Sequence, residues 1–348
     1  MKIDHIHFYV EDAAQTSDWL TRKMGFQSSG QQVSEHTHTE VVSSGQVVFW
    51  VSSALDRTSP VAEYLATHPA GVADVAFLVE DLDLMLARID RLNIKVITDR
   101  ALHNLDAPQV TIQGWGNYQH TLTSTDFHKF KNSIATTSLQ KNAFVDIDHV
   151  VLNVPQYQLV NATRWYQDLF DFRVQQSFEI QTDYSGLYSK ALIDGSGQVQ
   201  FNINEPSTTN SQIQTFLDLH GGAGIQHVAL QAQNIFQSVA QMRTQDLEFL
   251  PIPPTYYSNL RDRSQSIKNF PLLQQEWQEL EKSAILLDWP KNAATELLLQ
   301  IFTQPIFAQP TFFFELIERR GQAQGFGEGN FLALFEAIEQ QESKQALN

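Results

Sequence analysis

The sequence predicts an α+β protein of two domains, each built from two strand–helix–strand modules. Two repeats indicate this fold class. The segment IDHIHFYV at 3–10 recurs as IDHVVLNV at 147–154. The longer segment GVADVAFLVEDLDLMLARIDRLNIKVI at 71–97 recurs as GIQHVALQAQNIFQSVAQMRTQDLEFL at 224–250. The chain has 348 residues, which is enough for two domains that each bury a core.

Each repeated segment has the pattern of a strand followed by an amphipathic helix. The short strands lead to the helical stretches SDWLTRKMGF at 17–26 and ATRWYQDLFDF at 162–172, and the longer segments end in a further strand. Each module leaves an apolar face that needs a neighbour, so the modules are expected to pair. The polar segment 128–142 has few large apolar residues and is the predicted linker. The predicted domains therefore span 1–135 and 136–348.

Composition excludes several classes of protein. Hydrophobic residues make up 42% and charged residues 18%, as in a folded soluble protein. The net charge of −16 disfavours nucleic acid as a partner, since its phosphates would be repelled. The absence of Cys excludes thiolate catalysis and iron–sulfur ligation. No signal peptide and no apolar run of about 20 residues is present, so we expect a cytoplasmic protein without a membrane partner.

One carboxylate, Glu315, interrupts the apolar strand FFFELIE at 312–318. The alternation of a strand puts Glu315 on the same face as Phe313. An ionised Glu in an apolar interior is costly unless it is paired or bound to a metal. Two interpretations follow from the residues alone. Glu315 is either half of an ion pair with Arg319 or Arg320, or a metal ligand.

Two histidines at matching places in the repeated strands favour the metal. His149 lies in IDHVVLNV, and His227 lies in GIQHVALQA. Together with Glu315 they give two imidazoles and one carboxylate from three strands, which is the set expected for non-haem Fe(II) with open positions. A set of nitrogen and oxygen ligands without thiolate suits iron or manganese. The sequence therefore predicts an Fe(II) site.

The first half of the chain is predicted to hold no metal. The repeats align His149 with His5, His227 with Asp74 and Glu315 with Thr121. One imidazole and the carboxylate are thereby lost, which weakens Fe(II) binding. His120 lies one residue from Thr121 and so faces the other side of its strand. We expect this half of the chain to be retained because it provides packing and subunit contacts.

The second half resembles the 4-hydroxyphenylpyruvate dioxygenase family of the vicinal-oxygen-chelate superfamily. The segments that carry the resemblance include SGLYSKAL (185–192), INEP (203–206), PPTYYSNL (253–260), LLQIFTQP (298–305) and FFFELIERRGQAQGFGEGNFLALFEAIE (312–339). The resemblance implies paired βαβββ modules that form half-open barrels. It also implies an Fe(II) enzyme that converts 4-hydroxyphenylpyruvate and O2 to homogentisate and CO2 in tyrosine catabolism. The oligomers of the family imply a homo-oligomer, either a dimer or a tetramer.

The resemblance also assigns site residues. The implied iron ligands are His149, His227 and Glu315. The implied catalytic polar residues are Asn204, Gln212, Gln226 and Gln300. The implied substrate-binding residues are Ser189, Phe302, Phe313, Asn330, Phe331 and Phe335. Strict alternation points Gln226 away from the face of His227. The helix predicted from Asn330 onward is, by resemblance, a lid over the site.

Two alternatives stay open at the level of sequence. Hydroxymandelate synthase shares the fold, the ligands and the substrate, but it hydroxylates the benzylic carbon. That enzyme typically has aliphatic residues where this chain has Asn204 and Phe331, which favours the dioxygenase. The stretch at 45–77 nevertheless resembles the synthase. The second alternative is a metal-free binding protein of the same superfamily, which would not need all three ligands.

Overall fold

A computed structural model describes residues 1–97, 109–124, 143–182, 185–265, 267, 270–290, 295–327 and 329–331. These residues form two mixed sheets of eight strands each. The predicted linker at 128–142 and the predicted domain boundary lie outside the described residues. No helix in the described part of the chain is long and apolar enough to cross a membrane.

The first sheet is built from the N-terminal repeat. Its strand order is β2-β3-β4-β1-β5-β8-β7-β6, with β1–β4 and β5–β8 parallel. The elements are β1 (Lys2–Tyr9), α1 (Ala13–Met24), β2 (Gln27–Val33), β3 (Thr37–Ser44), β4 (Val47–Ala54), α2 (Pro60–Leu65), β5 (Gly71–Val79), α3 (Leu82–Arg91), β6 (Val96–Ile97), β7 (Gln109–Gln113) and β8 (Gln119–Ser124).

The second sheet repeats this order as β10-β11-β12-β9-β13-β16-β15-β14, again with two parallel pairs, β9–β12 and β13–β16. Each half thus contains two βαβββ modules, as predicted. The elements are β9 (Phe144–Asn153), α4 (Leu159–Phe170), β10 (Arg173–Gln181), β11 (Gly186–Ile193), β12 (Gln200–Pro206), α5 (Gln212–His220), β13 (Gly224–Ala232), α6 (Ile235–Thr244), α7 (Pro254–Gln265), α8 (Gln274–Ser283), β14 (Leu286–Asp288), β15 (Leu297–Phe302) and β16 (Phe313–Arg320).

The halves differ after α6, where the second half inserts α7 and α8. The prediction of a strand at the end of 224–250 is wrong. The structure has an isolated β-bridge there, between Phe249 and Thr303. The chain continues as PIPP at 251–254. Proline has no backbone N–H and cannot extend a ladder of hydrogen bonds, so the strand stops and the insertion begins.

The two sheets pack against each other through aromatic side chains. The rings of Phe8 and Phe312 meet edge to face at 5.1 Å, and those of Phe49 and Phe314 stack at 5.5 Å. Phe312 and Phe314 therefore point from the second sheet into the core shared with the first. Glu315 comes next on β16 and by alternation faces the other side, away from this core. The packing between the halves fixes the position of the carboxylate.

His120 on β8 makes a second contact between the halves. Its Nδ1 donates to the carbonyl of Val75 at 2.8 Å, and its Nε2 lies 3.0 Å from the Tyr166 hydroxyl on α4. As predicted, the His120 side chain lies on the opposite face of β8 from Thr121, and it points into the contact between the halves. Burial lowers the pKa of His120 to about 4. His120 is therefore neutral in the folded protein at pH 7.

We expect His120 to make the fold sensitive to acid. Its pKa is about 4 when folded and about 6.5 in an unfolded chain, so its contribution is full above pH 6.5 and is lost as the pH falls through 4. This loss amounts to about 3 kcal/mol of the free energy of unfolding. His120→Gln keeps one donor and one acceptor but does not titrate, so it should show a smaller loss between pH 7 and pH 4 in urea denaturation.

The matched control is His36→Gln, which changes an exposed histidine whose pKa is raised by a hydrogen bond to Asp56. This control should keep the acid-side loss of the unmodified protein. Equal pH dependence in the His120→Gln variant and the unmodified protein would show that His120 does not carry the effect.

Candidate metal centre

Three buried side chains on neighbouring strands converge at one point. His149 extends from β9, His227 from β13 and Glu315 from β16. Their ligand atoms all lie within 4.8 Å of one another. The Nε2 atoms of His149 and His227 are 3.2 Å and 3.6 Å from Glu315 Oε2. The structure thus brings together the three predicted metal ligands.

The alternative interpretation of Glu315 as half of an Arg ion pair is wrong. Arg319 makes two hydrogen bonds of 2.7 Å to Asp148, and Arg320 binds Glu318 and Glu276. The Oε1 atom of Glu315 instead accepts a hydrogen bond of 2.9 Å from Gln300. Its Oε2 is left for the histidines.

A second carboxylate, that of Asp148, binds the ring nitrogen of His149 that faces away from Glu315. The Nδ1 atom of His149 donates to Asp148 Oδ1 at 2.8 Å, which turns Nε2 toward Glu315. Burial opposes the charge of Asp148, but Arg319 more than offsets this and holds the pKa of Asp148 well below its usual value. A carboxylate behind a ligating imidazole is a common arrangement in metal sites, because it fixes the ring and makes it more basic.

The two histidines differ in their protonation. Burial lowers the pKa of His149, but the carboxylates of Glu315 and Asp148 raise it overall to about 9. Burial and the nearby His149 lower the pKa of His227 well below its usual value. Without a metal, a proton on His149 compensates the charge of Glu315. A metal ion would displace that proton.

These side chains fit a divalent metal ion. The 3.6 Å between His227 Nε2 and Glu315 Oε2 is too long for a hydrogen bond, so neither atom satisfies the other. A cation between them would bind both. The donor set of two imidazoles and one carboxylate, without thiolate, is the set that non-haem iron oxygenases use.

A cavity opens on the three side chains. Strands β9 to β13, β15 and β16 all contribute to its wall, together with the first turn of α5, so the second sheet curls around it as a half-open barrel. The predicted site residues in this wall, besides the three ligands, are Ser189, Asn204, Gln212, Gln226, Gln300, Phe302, Phe313 and Phe331. Asn330 lies behind Gln300, and Phe335 lies outside the described residues.

The prediction that Gln226 points away from the site is wrong. Strand β13 has a register shift against β9 between Ile225 and His227, which leaves Gln226 as the extra residue of a β-bulge. A bulge re-aims the side chains around it, and here it turns Gln226 into the cavity wall. The first sheet has the same shift, between Val72 and Asp74 of β5. The bulge therefore belongs to the repeated module.

Several cavity residues were not predicted. Asn202 and Phe326 line the wall, as do aliphatic side chains such as Val151 and Leu187. Asn202 lies two residues before Asn204 on β12, so the alternation of the strand could have identified it. Phe326 lies beyond the last strand, where no periodicity applies.

A chain of hydrogen bonds leads from the metal ligand to the C-terminal segment. Gln300 Nε2 donates to Glu315, and its Oε1 accepts from Asn330 Nδ2 at 2.7 Å. Asn330 Oδ1 in turn accepts from the Tyr256 hydroxyl at 2.7 Å. Because a carboxylate can only accept, Glu315 fixes the orientation of both amides. The insertion helix α7, which carries Tyr256, is thereby connected to the site.

In the first sheet a large aromatic side chain occupies the corresponding place. The strand registers of this sheet reproduce the predicted alignment, and they set Trp50 at the position of Asn202. The Trp50 ring stacks on His5 at 4.3 Å. Thr121 donates to Asp74 through both its hydroxyl and its backbone N–H. The absence of a metal in this half stays a prediction, and these contacts support it.

Comparison with known proteins agrees with this geometry. Two models described as the Glyoxalase/Bleomycin resistance protein/Dioxygenase superfamily match residues 4–106 and 146–263. Fold and site together thus define a member of the vicinal-oxygen-chelate class. The chain is 39% identical to an uncharacterised protein of Synechocystis sp., with 97% of each chain covered. It is 34% identical to 4-hydroxyphenylpyruvate dioxygenase of Caenorhabditis briggsae, with 98% of this chain and 92% of that protein covered.

The chain belongs to the 4-hydroxyphenylpyruvate dioxygenase family. Its similarity extends to the enzyme of Danio rerio, at 32% identity over 97% of this chain and 90% of that protein. Among solved structures, a triply substituted 4-hydroxymandelate synthase from Streptomyces coelicolor superposes with a TM-score of 0.83, at 26% identity and with 98% of each chain covered. The family resemblance and the half-open barrel fold predicted from the sequence are confirmed.

We expect one Fe(II) per chain, bound in the second half. Protein loaded anaerobically and then desalted should retain about one equivalent of iron by mass spectrometry of the metal, and a His149→Ala, His227→Ala double variant should retain essentially none, because two of three ligands are gone. His5→Ala is the matched control in the first half and should keep the full equivalent. One tight equivalent in the double variant would show a working site elsewhere, in contradiction to the prediction.

Proposed function

We propose that this protein is an Fe(II)-dependent dioxygenase that converts 4-hydroxyphenylpyruvate and O2 to homogentisate and CO2. The observation that carries the proposal is the buried group of His149, His227 and Glu315, which opens on an aromatic cavity in a chain of this family. We assign the breakdown of tyrosine as the metabolic context on the same basis. When bound, Fe(II) would supply the activation of O2 that side chains cannot provide.

The charge of the cavity favours an anionic substrate that binds the metal. No Lys or Arg lines the cavity in the described part of the chain, and Glu315 is the one acidic residue in its wall. A carboxylate entering alone would be repelled by Glu315. A divalent metal bound to Glu315 and two neutral imidazoles leaves one positive charge. That charge matches a single carboxylate, as in a 2-oxo acid.

Aromatic side chains form the walls for the substrate ring. Phe313 stacks on His227 at 4.8 Å, and Phe302 meets Phe313 edge to face at 6.1 Å. Phe331 packs against Phe178 at 5.0 Å. Such rings accept another ring through offset or edge contacts. They would orient the substrate and exclude water from the reacting atoms.

Neutral polar groups are available for the phenol. Ser189 and Asn204 lie opposite each other on β11 and β12, and both face the cavity. Gln212 Oε1 is buried without a hydrogen-bond partner among the residues the structure describes. A phenol both donates and accepts, so it can bind such groups without a change in charge. We assign Ser189, Asn204 and Gln212 to recognition of the hydroxyl.

Hydroxymandelate synthase is the second candidate, because the structural similarity to that enzyme extends over the whole chain. The residues at two positions favour the dioxygenase. Asn204 and Phe331 both line the cavity, where an amide and a ring constrain the substrate more than aliphatic side chains would. A metal-free binding protein is disfavoured, since it would have no use for three converging ligands.

Product analysis tests the reaction. Fe(II)-loaded protein given 4-hydroxyphenylpyruvate and O2 should form homogentisate, identified by chromatography and mass. Glu315→Gln should abolish turnover, because it removes the anionic ligand while keeping the size of the side chain and its hydrogen bond with an amide. Circular dichroism should show an unchanged fold in this variant. Full activity of Glu315→Gln, or of protein stripped of metal, would refute the assignment.

The ring contacts should decide which carbon is oxidised. Small movements of the ring bring either the ring or the benzylic carbon near the metal, so loss of the Asn204 amide and the Phe331 ring should change the product. We expect the double variant Asn204→Ile, Phe331→Ile to raise hydroxymandelate or uncoupled products relative to homogentisate. If homogentisate stays the sole product at an unchanged rate, these residues do not direct the chemistry.

A further inference from the structure

Arg319 on β16 donates hydrogen bonds in two directions behind the metal centre. Its Nε and Nη2 atoms each donate to one oxygen of Asp148 at 2.7 Å. Its Nη1 atom donates to the carbonyls of Ala323 and Gly325, at 3.2 Å and 2.9 Å. The side chains of the pair are 12% and 5% exposed. A buried ion pair contributes little to stability by itself, because desolvation offsets the attraction. The contacts of this pair indicate a role in the site instead.

The ion pair shares an atom with the metal centre. Asp148 Oδ1 accepts from Arg319 and also from His149 Nδ1, at 2.8 Å. The guanidinium fork holds both oxygens of the carboxylate, so the carboxylate cannot rotate away. The imidazole that donates to it is thereby held in one orientation. Arg319 therefore determines the direction in which His149 Nε2 points.

The same pair joins the strands that carry two of the ligands. Strand β13 lies between β9 and β16 in the sheet. Asp148 directly precedes His149 on β9, and Arg319 follows Glu315 by four residues on β16. The ion pair therefore spans β13 and holds the two outer ligand strands together.

The second set of hydrogen bonds holds the wall of the cavity. The segment 321–327 after β16 belongs to no helix or strand, and Arg319 binds two of its carbonyls. Phe326 in this segment meets the His149 ring edge to face at 5.2 Å. Arg319 thus acts on two contacts of the same imidazole, the hydrogen bond at Nδ1 and the packing of its ring.

The other imidazole of the site is held differently. His227 Nδ1 is buried and has no hydrogen-bond partner among the residues that the structure describes. Its ring stacks on Phe313 at 4.8 Å. Stacking constrains the plane of a ring but leaves rotation within that plane free. The hydrogen bond to Asp148 gives His149 a fixed direction as well.

We propose that Arg319 is a positioning residue of the metal centre, which fixes the His149 imidazole through Asp148 and through Phe326. This inference rests on the Fe(II) site of the proposed function. The planar fork of Arg can hold both oxygens of a carboxylate and still donate elsewhere, whereas the ammonium of Lys is a point charge on a flexible stem. Positive charge alone is therefore not sufficient at this position.

Fe(II) affinity tests the inference without turnover. It is measured anaerobically, by competition with a chromogenic Fe(II) chelator. Arg319→Lys should weaken Fe(II) binding about ten- to hundredfold, because the partner that orients a ligand is lost. The matched control is Arg320→Lys, the same change at the next residue, which binds Glu318 and Glu276 instead. This control should bind Fe(II) as the unmodified protein does.

Co(II) serves as a spectroscopic probe of the same site. Its visible absorption bands depend on the arrangement of the ligands around the ion. Arg319→Lys should shift these bands, because His149 is no longer held in one orientation. Arg320→Lys should leave them unchanged, and a variant that merely lowered the stability of the fold would also leave them unchanged in the folded protein.

A double-mutant cycle shows whether Arg319 acts through Asp148. Arg319→Lys should weaken Fe(II) binding less in an Asp148→Asn background than it does alone, because the carboxylate that transmits the effect is already gone. Equal losses in both backgrounds would overturn the inference. Should Arg319→Lys fail to fold, Arg319→Gln is measured in the same way, with the same outcomes.

Two further results would contradict the inference. One is an unchanged Fe(II) affinity and an unchanged Co(II) spectrum in Arg319→Lys. The other is an equal loss of affinity in Arg320→Lys, which would show a general effect of replacing an arginine on this strand. Unmodified protein that binds neither Fe(II) nor Co(II) would instead contradict the proposed function itself, and this inference with it.

Discussion

The buried charge of Glu315 is the constraint on which the rest of the site depends. Its carboxylate lies between apolar residues on a buried strand, so the few polar groups around it have to compensate for its charge. Two imidazoles approach one oxygen, and the Gln300 amide donates to the other. Arg319, four residues later, is occupied by Asp148 and cannot neutralise Glu315. The fold thus keeps a negative charge available for a cation.

The first half of the chain contributes to this site from behind. Its phenylalanines pack on Phe312 and Phe314, so β16 is held from one side while it presents Phe313 and Glu315 on the other. Comparison of the two halves also shows that the same sheet can carry different side chains at matching positions. The Trp50 ring stacks on His5 in the first sheet, while the smaller Asn202 at the matching position lines the cavity in the second.

The sequence was sufficient to predict the features that follow from the internal repeats and from the alternation of side chains along a strand. The repeats predicted paired strand–helix–strand modules and the matching positions of His149 and His227, the family resemblance added the βαβββ order, and alternation along β16 separated Phe313 from its neighbours. Features that interrupt a period were not predictable. The bulge at Gln226 leaves no pattern in the sequence. The strand expected at the end of 224–250 does not form, because the prolines that follow it cannot extend a ladder of hydrogen bonds. Asp148 and Arg319 are 171 residues apart, so local patterns could not reveal their contact.

The hydrogen bonds from Glu315 through Gln300 and Asn330 to Tyr256 make the site and the C-terminal segment one thermodynamic unit. Whatever orders Glu315 also orders the amide behind it and, through that amide, the start of the segment after Phe326. Such linkage is reciprocal, since two events that share a free energy must influence each other equally. A cation that holds Glu315 in place would then stabilise the position of Asn330, and loss of the Asn330 contacts would weaken binding of the cation by the same factor.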